Sequence, residues 1–160
     1  MNTTLVTVEE YLSTVYEPEC DYVDGELEDR NVGEKDHSKI QRKLVRLLPD
    51  SVAVFPEIRI RVSETRFRVP DVAVYLAEPD EQVFTTPPYL VIEILSPANS
   101  KRELDLKARA FWEHGAQAVW MLDPDTRKIF SVTRTGEWIE TDYLEVNGYP
   151  VETANLWPSE

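Results

Sequence analysis

Residues 89–95 read YLVIEIL and residues 118–122 read AVWML. Each is a short, almost unbroken apolar run, the pattern of a strand covered on both faces. Between them, Ser100 and Glu103 have capping-box spacing and Gly115 is a natural helix stop. Leu104, Ala108, Phe111 and Trp112 recur on one face of the intervening helix. Strand, helix and strand in this order predict a parallel, right-handed βαβ unit.

Working outward from that unit, Thr7 with Glu10 predicts a short helix over Val8–Val15. DYVDGELED, residues 21–29, predicts a strand or hairpin around Asp24-Gly25. Ile40, Leu44, Leu47 and Leu48 share a face and predict a helix over Ser38–Leu48, with Lys39, Arg42, Lys43 and Arg46 on its outer side. From Pro56 to Val62 apolar and charged residues alternate, as in a strand with one polar face. Ser63-Glu64-Thr65 turns the chain, and Phe67–Tyr75 reads as the returning strand, interrupted by Pro70. Downstream, Asp123-Pro124-Asp125 leads into a strand over Lys128–Thr133, and Trp138–Val146 adds an outer strand. The fold class is therefore α/β (α+β), a mixed sheet with helices packed on it.

The 160 residues suffice for one domain, expected over 1–160. The single Cys20 excludes an intramolecular disulfide framework and a Cys-cluster zinc site. No apolar run is long enough to cross a bilayer, and the start MNTTLVTVEEYL lacks the basic and apolar regions of a signal peptide. A cytoplasmic setting, away from membranes, is the expectation. The net charge is −13, the wrong sign for nucleic-acid binding if it were spread evenly. It is segmental. Residues 1–29 carry nine acids and no Lys or Arg, residues 30–70 carry ten Lys/Arg against five acids, and residues 71–160 carry seven against sixteen. The basic segment is either a local binding surface or a set of solvated helix and strand faces.

Three residues do not suit their surroundings. Glu93 is a carboxylate inside YLVIEIL, where an unpaired charge is very costly. Asp71 follows Pro70 and enters the sheet at the head of an apolar run, VAVY. Lys107 lies at the margin of the buried stripe of its helix, where it either snorkels to solvent or reaches the two acids. Two acids on neighbouring strands can share a hard divalent cation, and Mg²⁺ takes one or two carboxylates with waters and phosphate completing the shell. The same three residues also describe a satisfied buried ion-pair cluster. Glu57 is an accessory metal-side acid or the partner of Arg59 and Arg61. His37 opens the basic helix, far in sequence from the other histidine, His114, and Glu26 in DGEL is a further accessory candidate.

The ordered motifs DYVDGELED, His37 at a helix start, RVPDVAVY, YLVIEILSPANS, Lys107-x₃-Phe111-x₃-Gly115 and AVWMLDPDTRKIFSV resemble the Uma2 family of the PD-(D/E)XK nuclease superfamily. The resemblance covers about residues 5–135, leaving 136–160 as an outer strand and tail. It implies a restriction-endonuclease-like core with flanking helices, acting as an endonuclease that hydrolyses DNA phosphodiester bonds. Asp71 and Glu93 fall on the two acids of the motif. The superfamily often places Lys two residues after the second acid; here that position is Leu95, and Lys107 on the next helix stands in for it. The implied chemistry has Asp71, Glu93 and the Ile94 carbonyl holding Mg²⁺ or Mn²⁺, which polarises the phosphate and activates a water. Lys107 orients that water or stabilises the developing charge. Lys39, Arg42, Lys43, Arg46, Arg59 and Arg61 would contact backbone phosphates, with Glu57, Glu26 and His37 as accessories. The competing readings are a nuclease-fold binding or scaffold protein with little turnover, and a hydrolase of a smaller phosphate ester. The resemblance also suggests a homodimer, for which an apolar surface near Trp138, Tyr143, Tyr149 and Trp157 is the candidate.

Overall fold

The computed structural model describes residues 5–30 and 34–158, and at its centre is the crossover expected from residues 89–122. In chain order the elements are helix α1 (Val8–Ser13), strands β1 (Asp21–Val23) and β2 (Glu26–Glu28), helix α2 (Lys35–Leu47), and strands β3 (Ala53–Pro56), β4 (Ile60–Ser63), β5 (Arg66–Arg68), β6 (Val72–Tyr75) and β7 (Leu90–Ile94). Helix α3 (Lys101–His114) follows, then strands β8 (Ala118–Asp123), β9 (Lys128–Val132), β10 (Trp138–Thr141), β11 (Leu144–Val146) and β12 (Tyr149–Val151). A six-stranded mixed sheet has the order β10-β9-β8-β7-β6-β3, in which only β7 and β8 run parallel. A four-stranded antiparallel sheet has the order β2-β1-β5-β4. No described helix is long and apolar enough to cross a membrane.

The period-two alternation of the central strands sorts their side chains onto two cores. Leu90, Ile92 and Ile94 of β7, with Val72 and Val74 of β6, meet Ile40 and Leu44 of α2. Val91, Ala73 and Tyr75 face the other way and meet Leu104, Ala108 and Phe111 of α3. Helix α3 begins as the spacing predicts, with Ser100 Oγ accepting the Glu103 N–H at 3.1 Å. It ends at Gly115, whose φ of +124° suits glycine, and where an added Cβ would sit 3.0 Å from Pro87 Cγ.

Three expectations are corrected. Residues 54–62 are two strands in different sheets: Pro56 ends β3, and Glu57 takes a left-handed φ of +51°, which turns the chain out of the large sheet. The returning stretch is likewise split at Pro70, with β5 in the small sheet and β6 in the large one. The Trp138–Val146 strand is also two: β10 extends the large sheet, while β11 turns back through Asn147-Gly148 to pair with β12 over the α2-side core. Asn-Gly is a strong hairpin signal because both turn residues need positive φ. Helix α2 begins three residues earlier than its apolar period shows, at Lys35, after a cap residue that makes no side-chain hydrogen bond. Trp138 and Trp157 are partly buried against the cores, leaving Tyr143 and Tyr149 as the exposed members of the proposed surface.

Phe111 is fully buried between α3 and the sheet. Phe111→Ala is expected to lower stability by about 3–5 kcal/mol and Ser100→Ala by about 1 kcal/mol, measured from urea unfolding midpoints. A loss below about 1 kcal/mol for Phe111→Ala would show that α3 is not docked as described.

Candidate active site

The alternation that sends Ile92 and Ile94 toward α2 sends Glu93 to the α3 side, next to Val91. Strands β6 and β7 pair with Val72 opposite Ile92, so one further step of the antiparallel register sets Asp71 opposite Glu93. Pro70 precedes Asp71 where the chain leaves the small sheet, a place that needs no ladder N–H. Lys107 lies three residues after Leu104 and four before Phe111, on the helix face that meets the sheet. Its Nζ is 3.1 Å from Glu93 Oε1, donates to the Val69 carbonyl at 2.8 Å and lies 3.8 Å from Asp21 Oδ2.

The two carboxylates are held very differently. Asp71 Oδ1 accepts from Arg30 Nη2 at 2.7 Å, and Oδ2 accepts from the Ile94 N–H at 2.7 Å with His37 Nε2 3.2 Å away. Burial alone would raise the pKa of Asp71, but His37, Lys107 and Arg30 outweigh it and hold the group ionised, below its ordinary range. Glu93 goes the other way. Burial dominates and Asp71 adds repulsion, so its pKa is pushed up despite Lys107 and Arg30. The Lys107 amine approaches Glu93 Oε1 without hydrogen-bond alignment, and among the described residues Oε1 has no hydrogen-bond partner. Lys107 is itself buried, which would lower its pKa, yet Asp21, Glu93 and Asp71 raise it on balance.

Three residues that the sequence did not single out complete the cluster. Asp21 of β1 accepts the Val69 N–H at 2.9 Å and lies 3.2 Å from Arg68 Nη1. Arg68 also reaches Glu28 at 2.8 Å, and its Nε has no partner among the described residues. Asp21, Asp71 and Glu93 thus face Arg30, Arg68 and Lys107, and none of the six side chains is more than 12 % exposed. The small sheet brings Asp21 and Arg68 into this cluster, and the large sheet brings Asp71 and Glu93. In sequence, Asp21 sits in an ordinary hairpin pattern and Arg68 in an alternating basic strand. Arg30, like these two, carried no signal that set it apart from the other charges of its segment.

The other candidates are scattered. His37 is buried at the site, in the first turn of α2. Glu57 stands at the rim, its side chain 52 % exposed and 3.6 Å from Arg30. Glu26 is exposed on β2 and does not line the cavity. Arg42 and Arg46 are exposed on α2, Lys39 and Lys43 half-buried, and Lys43 donates to the Trp157 carbonyl at 3.1 Å. Arg59 does not face a ligand: it is paired with Glu19 at 2.6 Å and lies 4.2 Å over the Tyr11 ring, joining α1 to the small sheet. Arg61 donates to the Glu64 carbonyl at 2.6 Å and covers Phe67.

A cavity of about 380 Å³ holds the cluster, with Asp21, Asp71, Glu93, Ile94 and Lys107 in its wall and exposed Leu106 at its edge. Among the described residues no three His, Cys, Asp or Glu form a ready metal cluster. Mg²⁺ needs only one or two carboxylates, and Asp71 and Glu93 fit that need: Glu93 Oε1 is buried and makes no aligned hydrogen bond among the described residues, with the Lys107 amine beside it. The Ile94 N–H already points at Asp71, and the carbonyl of the same residue leaves that edge of β7. The donor set therefore suits a hard divalent ion.

Comparison with known proteins gives two findings. The model of the Uma2 family, described as "Putative restriction endonuclease", matches residues 8–154. The crystal structure of "a putative nuclease belonging to DUF820" from Anabaena variabilis ATCC 29413 superposes with a TM-score of 0.79 at 24 % identity, covering 95 % of this chain and 97 % of that one. That likeness extends the fold over nearly the whole of both chains. No curated protein matches the sequence.

A purely structural ion pair and a functional acid respond differently to Glu93→Gln, which keeps the volume and removes the charge. Because burial disfavours the Glu93 carboxylate, Glu93→Gln is expected to leave the urea midpoint unchanged or raise it. Asp21→Ala, which removes one of the two carboxylates of Arg68 and the acceptor of the buried Val69 N–H, is expected to cost about 1–3 kcal/mol. A comparable loss in Glu93→Gln would make Glu93 a structural partner of Lys107.

Proposed function

The chain belongs to the Uma2 family, and on that premise we propose that it is a divalent-metal-dependent endonuclease hydrolysing DNA phosphodiester bonds. The observation that carries this reading is the meeting of Asp71, Glu93 and the Lys107 amine in one cavity. Asp71, Glu93 and the Ile94 carbonyl would hold Mg²⁺ or Mn²⁺. Bound there, such an ion polarises a phosphate oxygen and lowers the pKa of a water.

The protein's own groups set the rest. Lys107 is fixed by the Val69 carbonyl and flanked by Asp21 and Glu93, so it keeps its ammonium beside the acids. From there it donates to a water or to the phosphate oxygen where charge develops. The His37 ring and the Ile94 N–H orient Asp71. Helix α2 begins at the site with His37 and presents Arg42 and Arg46 to solvent, where they can meet backbone phosphates.

A second reading, a binding protein with an idle site, draws support from one observation: both Asp71 oxygens are already engaged, by Arg30 and by Ile94. Nicking of supercoiled plasmid under Mg²⁺ separates the two. Asp71→Asn and Glu93→Gln are each expected to slow cleavage by about 100-fold or more. Lys107→Met is expected to lower turnover while Mn²⁺ affinity is retained. Cleavage that survives both carboxylate substitutions would place the centre elsewhere, and no cleavage by the intact protein would favour the binding reading. Duplex affinity, followed by fluorescence anisotropy, is expected to fall steeply with added salt.

A further inference from the structure

Arg30 has no part in the chemistry just described, yet it is the cation that holds Asp71. Its Nη2 is 2.7 Å from Asp71 Oδ1 and its Nη1 3.6 Å from Glu57 Oε1, and the field of Asp71, Glu93, Asp21 and Glu57 acts on it. The three buried cations divide their work. Arg68 serves Asp21 and Glu28, and Lys107 serves Glu93 and the Val69 carbonyl. Arg30 alone serves a proposed metal ligand while also touching an acid at the solvent rim.

We propose that Arg30 is a built-in rival of the divalent ion for Asp71, occupying the Asp71 side of the metal site and giving it up toward Glu57 when the ion enters. Two features carry this. Arg30 already sits 2.7 Å from Asp71 Oδ1, so a divalent ion entering beside Asp71 meets it as a like charge at close range. Arg30 and Arg68 each have a second carboxylate at the rim, Glu57 and Glu28, with side chains 52 % and 49 % exposed, and of the two only Arg30 sits on a proposed metal ligand. Metal affinity is then set by competition between two cations for one carboxylate, and the guanidinium released at the mouth of the cavity lies where a phosphate would arrive. This inference rests on the reading of the site as a metal centre.

Calorimetric titration of the full chain with MnCl₂ tests it without reference to turnover. Arg30→Met keeps the apolar stem and removes the charge; Arg30→Lys keeps the charge; Asp71→Asn, alone and with Arg30→Met, identifies the site. Arg30→Met is expected to bind Mn²⁺ about tenfold more tightly than the intact protein, the scale of one charged hydrogen bond. Arg30→Lys should stay near the intact value, and Asp71→Asn should abolish binding in both backgrounds. Asp71-dependent binding that is equal or weaker in Arg30→Met overturns the rivalry and leaves the metal centre standing. An absence of Asp71-dependent binding in every variant overturns both. Should Arg30→Met lose its fold without metal, thermal melts with and without Mn²⁺ decide: recovery of the folded chain supports the proposal, and failure to recover in saturating Mn²⁺ overturns it by making Arg30 a structural tie.

Discussion

A carboxylate near the end of an apolar strand must be answered by cations, and the structure around Glu93 is organised by that demand. Lys107 reaches it from α3, and Asp71, which makes the demand larger, is balanced by Arg30. Lys107 in turn lies near Asp21, which accepts the Val69 N–H and pairs with Arg68. One buried network therefore ties the small sheet, the large sheet and α3 together. Removing Asp21 or Asp71 leaves a buried cation short of a partner in a medium that solvates it poorly, so the network joins the two sheets as well as lining the cavity.

The central crossover was legible because each of its signals is local. YLVIEIL and AVWML are too apolar for anything but covered strands, and Ser100, Glu103 and Gly115 mark the ends of the helix between them. Asp71, Glu93 and Lys107 stood out as charges in apolar settings, and they do meet in one cavity. The division into two sheets was hidden, because Pro56-Glu57 and Pro70 look like minor interruptions in good strand pattern while the chain changes sheets at both. Asp21 and Arg68 were hidden for a related reason. On an antiparallel strand a charge is ordinarily a solvent-face residue, and only the packing of the small sheet against the large one buries it. Arg59 was misread in the opposite sense: its charge is taken up by Glu19 and the ring of Tyr11.

The electrostatics also show why a net charge of −13 does not settle what the protein meets. Much of that charge is on the surface and screened within about 8–10 Å at ordinary ionic strength. Among the six buried groups acids and cations are equal in number, the cavity wall adds the acids Glu28, Asp29 and Glu103, and Glu93, ion-paired with Lys107, is biased by burial toward protonation. A site arranged only for stability is often served as well by an apolar residue as by a buried ion pair.

The central claim is that Asp71 and Glu93 share one divalent ion. Anomalous diffraction from Mn²⁺-soaked crystals tests it directly. The account predicts a single strong peak bridging the two carboxylates, beside the Ile94 carbonyl, with the Arg30 guanidinium withdrawn from Asp71. Manganese bound elsewhere, with Asp71 still clamped by Arg30 and Glu93 still paired only with Lys107, would contradict it.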